Sequence, residues 1–155
     1  MKIRSSVLLV ALFVLAAATC FAAADSFIGT WKLNESKSKI AAGTPKNQTV
    51  VYEAAGDSTK VTIDGTAPDG TPRHSEWTGK FDGKDYPVSG NPSEDMRSAK
   101  MINGHTFDVV SKKDGKVVLT AHIVVAPDGK TRTVTTHGTD AKGKKYTNVA
   151  VYDKQ

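Results

Sequence analysis

The chain has 155 residues, with 21 Lys+Arg against 16 Asp+Glu, 4 His and a single cysteine. That length holds one domain, and a formal charge of +5 scattered along the chain is too mild for a nucleic-acid-binding surface. One cysteine excludes an internal disulfide framework and a cysteine-ligated metal cluster.

The first 24 residues read as a secretory signal peptide. Lys2 and Arg4 make a basic start, Val7 to Ala18 is a nearly unbroken apolar run, and Ala22-Ala23-Ala24 offers small residues for cleavage before Asp25. The run is shorter than the ~20 residues of an ordinary membrane span. Thr19 stands before Cys20 where a lipidated cysteine is preceded by Gly or Ala. The expectation is an exported single domain over residues 25–155, periplasmic or extracellular, with no transmembrane segment once the signal is removed. Cys20 leaves with the signal, and the basic excess falls to three.

No later segment sustains a helical period. Short runs rich in Val, Thr, Tyr and Ile recur, separated by Asp-Gly at 64–65, 69–70, 82–83, 114–115 and 128–129 and by Asn-Gly at 103–104. These dipeptides adopt positive φ readily and close hairpins. Strands are predicted near 27–33, 48–54, 58–64, 73–81, 84–89, 95–102, 105–112, 116–126, 131–138 and 145–153. The fold class is therefore all-β, an antiparallel up-and-down meander of about 8–10 strands. Pro87 marks 84–89 as an edge or irregular strand. Lys37 to Asn47 is the longest connection, with room for a short helical turn.

The turns predict registers. Ala67-Pro68-Asp69-Gly70 suits a type I turn with a glycine bulge, which puts Val61 opposite Trp77. The same turn at Lys112-Lys113-Asp114-Gly115 puts Leu119 opposite Val109 and Ala121 opposite Phe107; a plain two-residue turn would set Asp108 against Ala121. At Ala126-Pro127-Asp128-Gly129 it sets Leu119, Ala121 and Ile123 against His137, Thr135 and Thr133, so either one inner wall is polar or the register differs. A sheet this long must bury its apolar face by curling. Closure into a barrel removes exposed edges; a two-sheet sandwich is the rival.

Phe27-Ile28-Gly29-Thr30-Trp31-Lys32-Leu33 resembles the first strand of the lipocalin and fatty-acid-binding superfamily, with its G-x-W motif. Val151-Tyr152-Asp153-Lys154 is similar to the V-Y-E-K ending of fatty-acid-binding proteins, and the chain looks most like the small exported lipocalin-like proteins of bacteria. The resemblance implies a lipocalin-like barrel, with Trp31 plugging its closed end and Gly29 letting the first strand bend. There are departures. Ala150 stands where the family carries an arginine that packs over the tryptophan, no T-D-Y motif is present, and Asn34 to Asn47 is too short for a helical lid.

Motifs for chemistry are sparse. His74, His105, His122 and His137 share no metal-ligand spacing, and by the favoured turn His122 and His137 point to opposite faces. No G-x-S-x-G is present for a hydrolase. Glu94-Asp95 lies in a Pro-Ser loop and reads as solvated. The expectation is no enzyme, no metal and no cofactor. Arg97 is singled out by its register: a bulged turn at Asn103-Gly104 puts it inward with Ala99 and Met101, whereas the commoner two-residue turn sends it outward. An inward cation needs an anionic partner.

The leading functional reading is an exported monomer that binds a small apolar or amphipathic ligand in its barrel. Trp77, Tyr52, Phe107 and Val109 are its expected lining, and Arg97 its anion partner. The alternatives are an envelope module whose barrel is filled by its own side chains, and an enzyme at the barrel mouth. A cavity above ~300 Å³ with a few convergent polar groups favours binding over a filled interior.

Overall fold

The computed structural model describes residues 26–140 and 142–155; the expected signal peptide and its cleavage site lie outside them. Ten strands follow one another: β1 (Gly29–Leu33), β2 (Lys46–Ala55), β3 (Ser58–Thr66), β4 (Pro72–Gly79), β5 (Asp82–Ser89), β6 (Met96–Asn103), β7 (Thr106–Lys113), β8 (Lys116–Val125), β9 (Thr131–Thr139) and β10 (Lys145–Lys154). Each is antiparallel to the next, and β1 pairs with both β2 and β10, so the sheet is a closed barrel and not a sandwich. Every expected strand is present. The helical turn is displaced from the expected stretch: it is a 3-10 turn at Glu35–Lys37, where the Asn34 side chain accepts from the Lys37 amide at 3.2 Å.

The β3–β4 hairpin has the expected register. Ala67 N–H donates to Thr71 O at 2.8 Å, and Val61 lies opposite Trp77. The β7–β8 hairpin corrects the expectation. Lys113 pairs with Lys116 around a two-residue turn, with Asp114 and Gly115 at φ 50 and 75. That conformation matches the twist of the strands. It would turn the apolar face outward, but the register then shifts past Val118, so Leu119, Ala121 and Ile123 face Ser111, Val109 and Phe107. A bulge thus restores the inward face that the turn alone would lose. β6–β7 is built the same way. Asn103 pairs with Thr106, the register shifts past Ile102, and Arg97, Ala99 and Met101 face Ser111, Val109 and Phe107.

At β8–β9 the connection is one residue longer than at β3–β4, with Ala126 bonded to Thr131. Ile123 therefore meets Val134, Ala121 meets Thr136, and Val125 meets Arg132. The open question of a polar wall is answered by a register one residue away. His122 and His137 consequently share the outer face, opposite Thr135 and Thr120, which overturns the expectation that they diverge.

Meander order puts the β2–β3, β4–β5, β6–β7 and β8–β9 turns at one end, with Phe27 and Gln155. That end is closed. Phe107 packs edge-to-face on Phe27 at 4.6 Å and on Phe81 at 4.9 Å. Trp31 has no exposed surface, and its indole N–H donates to Phe27 O at 2.8 Å. Gly29 has φ 123, and a side chain there would meet Lys154 Cε at 2.9 Å. This is the bend that lets the first strand carry Trp31 across the barrel end.

Candidate functional site

The other end is open. A cavity of about 920 Å³ runs down the barrel from a mouth formed by the β1–β2, β3–β4, β5–β6 and β9–β10 connections, where Gly43, Pro68, Ser93 and Lys142 line it. Its middle is an apolar belt of Val50, Ile63, Val109, Ala121, Ile123 and Val134. Alternation along β2, β3, β7, β8 and β9 places these on the inner face.

Three of the sequence-stated candidates, Tyr52, Val109 and Arg97, line the cavity. Trp77 and Phe107 are buried at 2% and 1% exposure, but in the aromatic layer: Trp77 meets Phe81 at 6.2 Å and Tyr86 at 6.1 Å. Trp31 and Gly29 belong to the closed end, beneath the cavity.

Arg97 faces inward, as one of its two readings required, but it has a partner. Glu94 is buried and accepts from both Nη2 and Nε of Arg97, the latter at 3.3 Å. The expectation that Glu94-Asp95 is solvated is thereby corrected. Two residues separate the acid from Arg97, and the Pro-Ser turn carries it back over the guanidinium. Asp95 accepts from the Asp114 amide at 2.9 Å. Arg73 enters beside this pair and donates to the Asn47 amide oxygen at 3.3 Å. Burial draws the Arg73 guanidinium below its usual range; the Glu94 charge opposes this and the Arg97 charge adds to it. One carboxylate therefore stands near the mouth beside two guanidinium groups, and it is bonded to Arg97.

The floor holds a residue that sequence reasoning missed. Arg132, on β9, is 2% exposed. Its guanidinium carbon lies 5.0 Å from the Trp31 ring, 5.0 Å from Tyr52 and 4.6 Å from Tyr152. It occupies the place above the tryptophan that the resemblance assigns to an arginine on the last strand, where Ala150 stands. β9 supplies it because Arg132 pairs with Tyr152 on β10. Its Nε and Nη1 have no hydrogen-bond partner among the described residues. Cation–π contact with three rings offsets part of the cost of burying the charge, yet two donors stay unsatisfied beside the cavity. The clue in the sequence was parity on β9: with Val134 inward, Arg132 is inward too.

Rim acids are held by their own turns. The Asp69 carboxylate accepts from the Thr71 hydroxyl and amide at 2.7 and 3.0 Å, and these bonds hold its pKa below the usual range. Asp140 accepts from the Lys142 and Lys144 amides at 2.9 and 2.8 Å. The β1–β2 connection is pinned at the mouth: buried Asn148 accepts from the Ala41 amide at 2.8 Å and donates to the Thr44 hydroxyl at 3.0 Å. His74 and His122 lie outside the barrel, each 2.6 Å from a carboxylate, Asp64 and Asp108. Among the described residues no three His, Cys, Asp or Glu converge as metal ligands, and no helix is long and apolar enough to cross a membrane. No protein-family model matches the chain, and no curated protein matches it.

Proposed function

We propose that this chain is an exported, calycin-like barrel protein that binds an elongated, mostly apolar small molecule with an anionic head group. The observation that carries the reading is the 920 Å³ cavity whose floor is a buried guanidinium with two unsatisfied donors. The volume is that of a small-molecule site, and an apolar wall with a few convergent polar groups is its usual chemistry. A carboxylate or similar oxyanion at the floor would accept the free N–H groups of Arg132 and neutralise its charge. The Tyr52 phenol lines the same end of the cavity. Arg97, the cation singled out from sequence, serves less well as sole anion partner because Glu94 already neutralises it. The proposal includes no catalytic role.

Titration of the purified protein with a fluorescent fatty-acid analogue tests the reading. Saturable binding in the micromolar range is expected. Arg132→Gln should weaken it roughly tenfold, the worth of one charge-assisted hydrogen bond, and Arg97→Ala should weaken it less. Absence of binding by any apolar anion would transfer the chain to the filled-module reading. Mass spectrometry of molecules that co-purify with the native protein would identify the ligand.

A further inference from the structure

The cavity is cationic at both ends. Arg132 is the second residue of β9, counted from the closed end, whereas Arg73 and Arg97 are the second residues of β4 and β6, counted from the mouth. Through the ladder, Arg73 lies on a row with Gly65 and Asn47, and Asn47 is five residues along β2, toward the mouth, from Tyr52, whose ring packs on Arg132. Five residues of strand, tilted as in a barrel, with the climb of the row itself, place Arg73 and Arg132 ~15 Å apart along the axis. Val109, Ala121 and Val134 lie between them, with no charged side chain on that stretch of β7, β8 or β9 facing inward.

The charges of the mouth do not cancel. Glu94 serves Arg97, and among the described residues the Arg73 guanidinium has only the neutral Asn47 amide as a hydrogen-bond partner. The other acids of the rim, Asp69 and Asp140, are engaged by backbone amides and a hydroxyl of their own turns. Lys142 and Lys144 add positive charge at the same rim. A ligand with a single anionic head, seated on Arg132, would end in an apolar tail beneath two guanidinium groups.

We infer that the preferred ligand is anionic at both ends: an apolar body of about 15 Å with one oxyanion on Arg132 and a second on Arg73 at the mouth. This rests on the ligand-binding reading above and narrows its substrate class from monoanionic amphiphiles to dianions of the long-chain dicarboxylate type. The body fills the belt, the inner oxyanion accepts the unsatisfied donors of Arg132, and the outer one replaces water around Arg73 while Glu94 balances the charge of Arg97. Glu94 also limits the site, because its carboxylate repels a second anion placed beside it.

Competition for a bound fluorescent fatty-acid analogue tests this, with tetradecanedioate and tetradecanoate as the competing probes and the full chain as protein. Tetradecanedioate should compete roughly tenfold better than tetradecanoate, as one additional charge-assisted contact provides. Arg73→Gln should collapse that ratio toward one, and Glu94→Gln should widen it. Tryptophan fluorescence and a thermal melt of each variant establish that it is folded, and Arg73→Lys, which keeps the charge, should retain part of the preference. Equal competition by the two acids, or a ratio that survives Arg73→Gln, overturns the two-ended ligand while leaving single-headed binding in place. Failure of both acids to compete against a saturable analogue likewise overturns it. Failure of the analogue itself to bind removes the ligand-binding reading, and this inference with it.

Discussion

At the closed end of the barrel Phe107 meets Phe27 and Phe81 edge to face and Trp31 has no exposed surface. At the mouth, Arg73, Glu94 and Arg97 stand around an opening whose rim is made of turns. Both ends are made by the same alternating strands, so inward parity alone does not decide whether a barrel is filled. Residue size does. Large rings are concentrated at the closed end, while Val, Ala, Ser and Thr face inward further up and leave the lumen open. Arg132 sits at the border: its guanidinium packs on three rings and its unused donors lie beside the cavity. The difference implies that stability resides at the closed end, while on the proposed reading recognition runs from Arg132 at its border up to the mouth.

Four measurements would break or sharpen that division. The largest effect is expected from Trp31→Ala, which should cost about 3–5 kcal/mol, as deletion of a large buried side chain does. An unchanged chemical-denaturation midpoint would mean that the closed end does not carry the fold. The next concerns Tyr152, whose phenol burial pushes up to about 12 from the usual 10.0, against the opposing pull of the Arg132 charge. The folded state then holds a proton that the unfolded chain releases. Stability is full below pH 10 and declines as pH rises toward 12, by about 2–3 kcal/mol. Tyr152→Phe should remove most of this decline in denaturation curves recorded across the window; an identical pH dependence would place the titrating group elsewhere.

A smaller effect is expected at the mouth. Asn148→Ala leaves the Ala41 amide and the Thr44 hydroxyl without their partner and should cost about 1–2 kcal/mol. It should also speed ligand exchange, measured by stopped-flow displacement. A loss as large as that of Trp31→Ala would show the mouth to be as stabilising as the floor. The smallest belongs to Asp140→Asn in the exposed β9–β10 turn, which should change stability by less than ~0.5 kcal/mol, read from the thermal midpoint.

Much of this architecture was legible in the sequence. Period-two apolar runs and Asp-Gly turns locate all ten strands, and the proline-led turn at Ala67 to Gly70 sets Val61 against Trp77 correctly. Registers elsewhere were less legible, because a turn residue fixes only the local conformation. At β6–β7 and β7–β8 the dipeptides make two-residue turns, and bulges at Ile102 and Val118 then correct the face. A bulge leaves no dipeptide signature; its trace is an apolar residue left outside, as Ile102 is at 52% exposure and Val117 at 58%. The site was legible in part for the same reason. Tyr52 and Val109 follow from parity, Trp77 and Phe107 share that parity but lie too near the closed end, and Arg132 depends on a β8–β9 turn longer by one residue. Glu94 was hidden because its partner is reached through the fold of a loop.

One joint of the barrel differs from the rest. β4 and β5 share only two ladder pairs, Glu76 with Ser89 and Trp77 with Val88. Side chains clasp the seam instead. Trp77 donates its indole N–H to Arg97 O on β6 at 3.0 Å, and Tyr86 lies over Gly79, where a methyl group would be 2.7 Å from its ring. Unfastened there, the tube becomes an open sheet with two raw edges, each able to pair with the same edge of another copy. Pro87 interrupts the donor row of β5 at this very strand. The aromatic clasp and the proline together guard the chain against association through its own backbone, a form of protection that matters most at high concentration and before folding is complete.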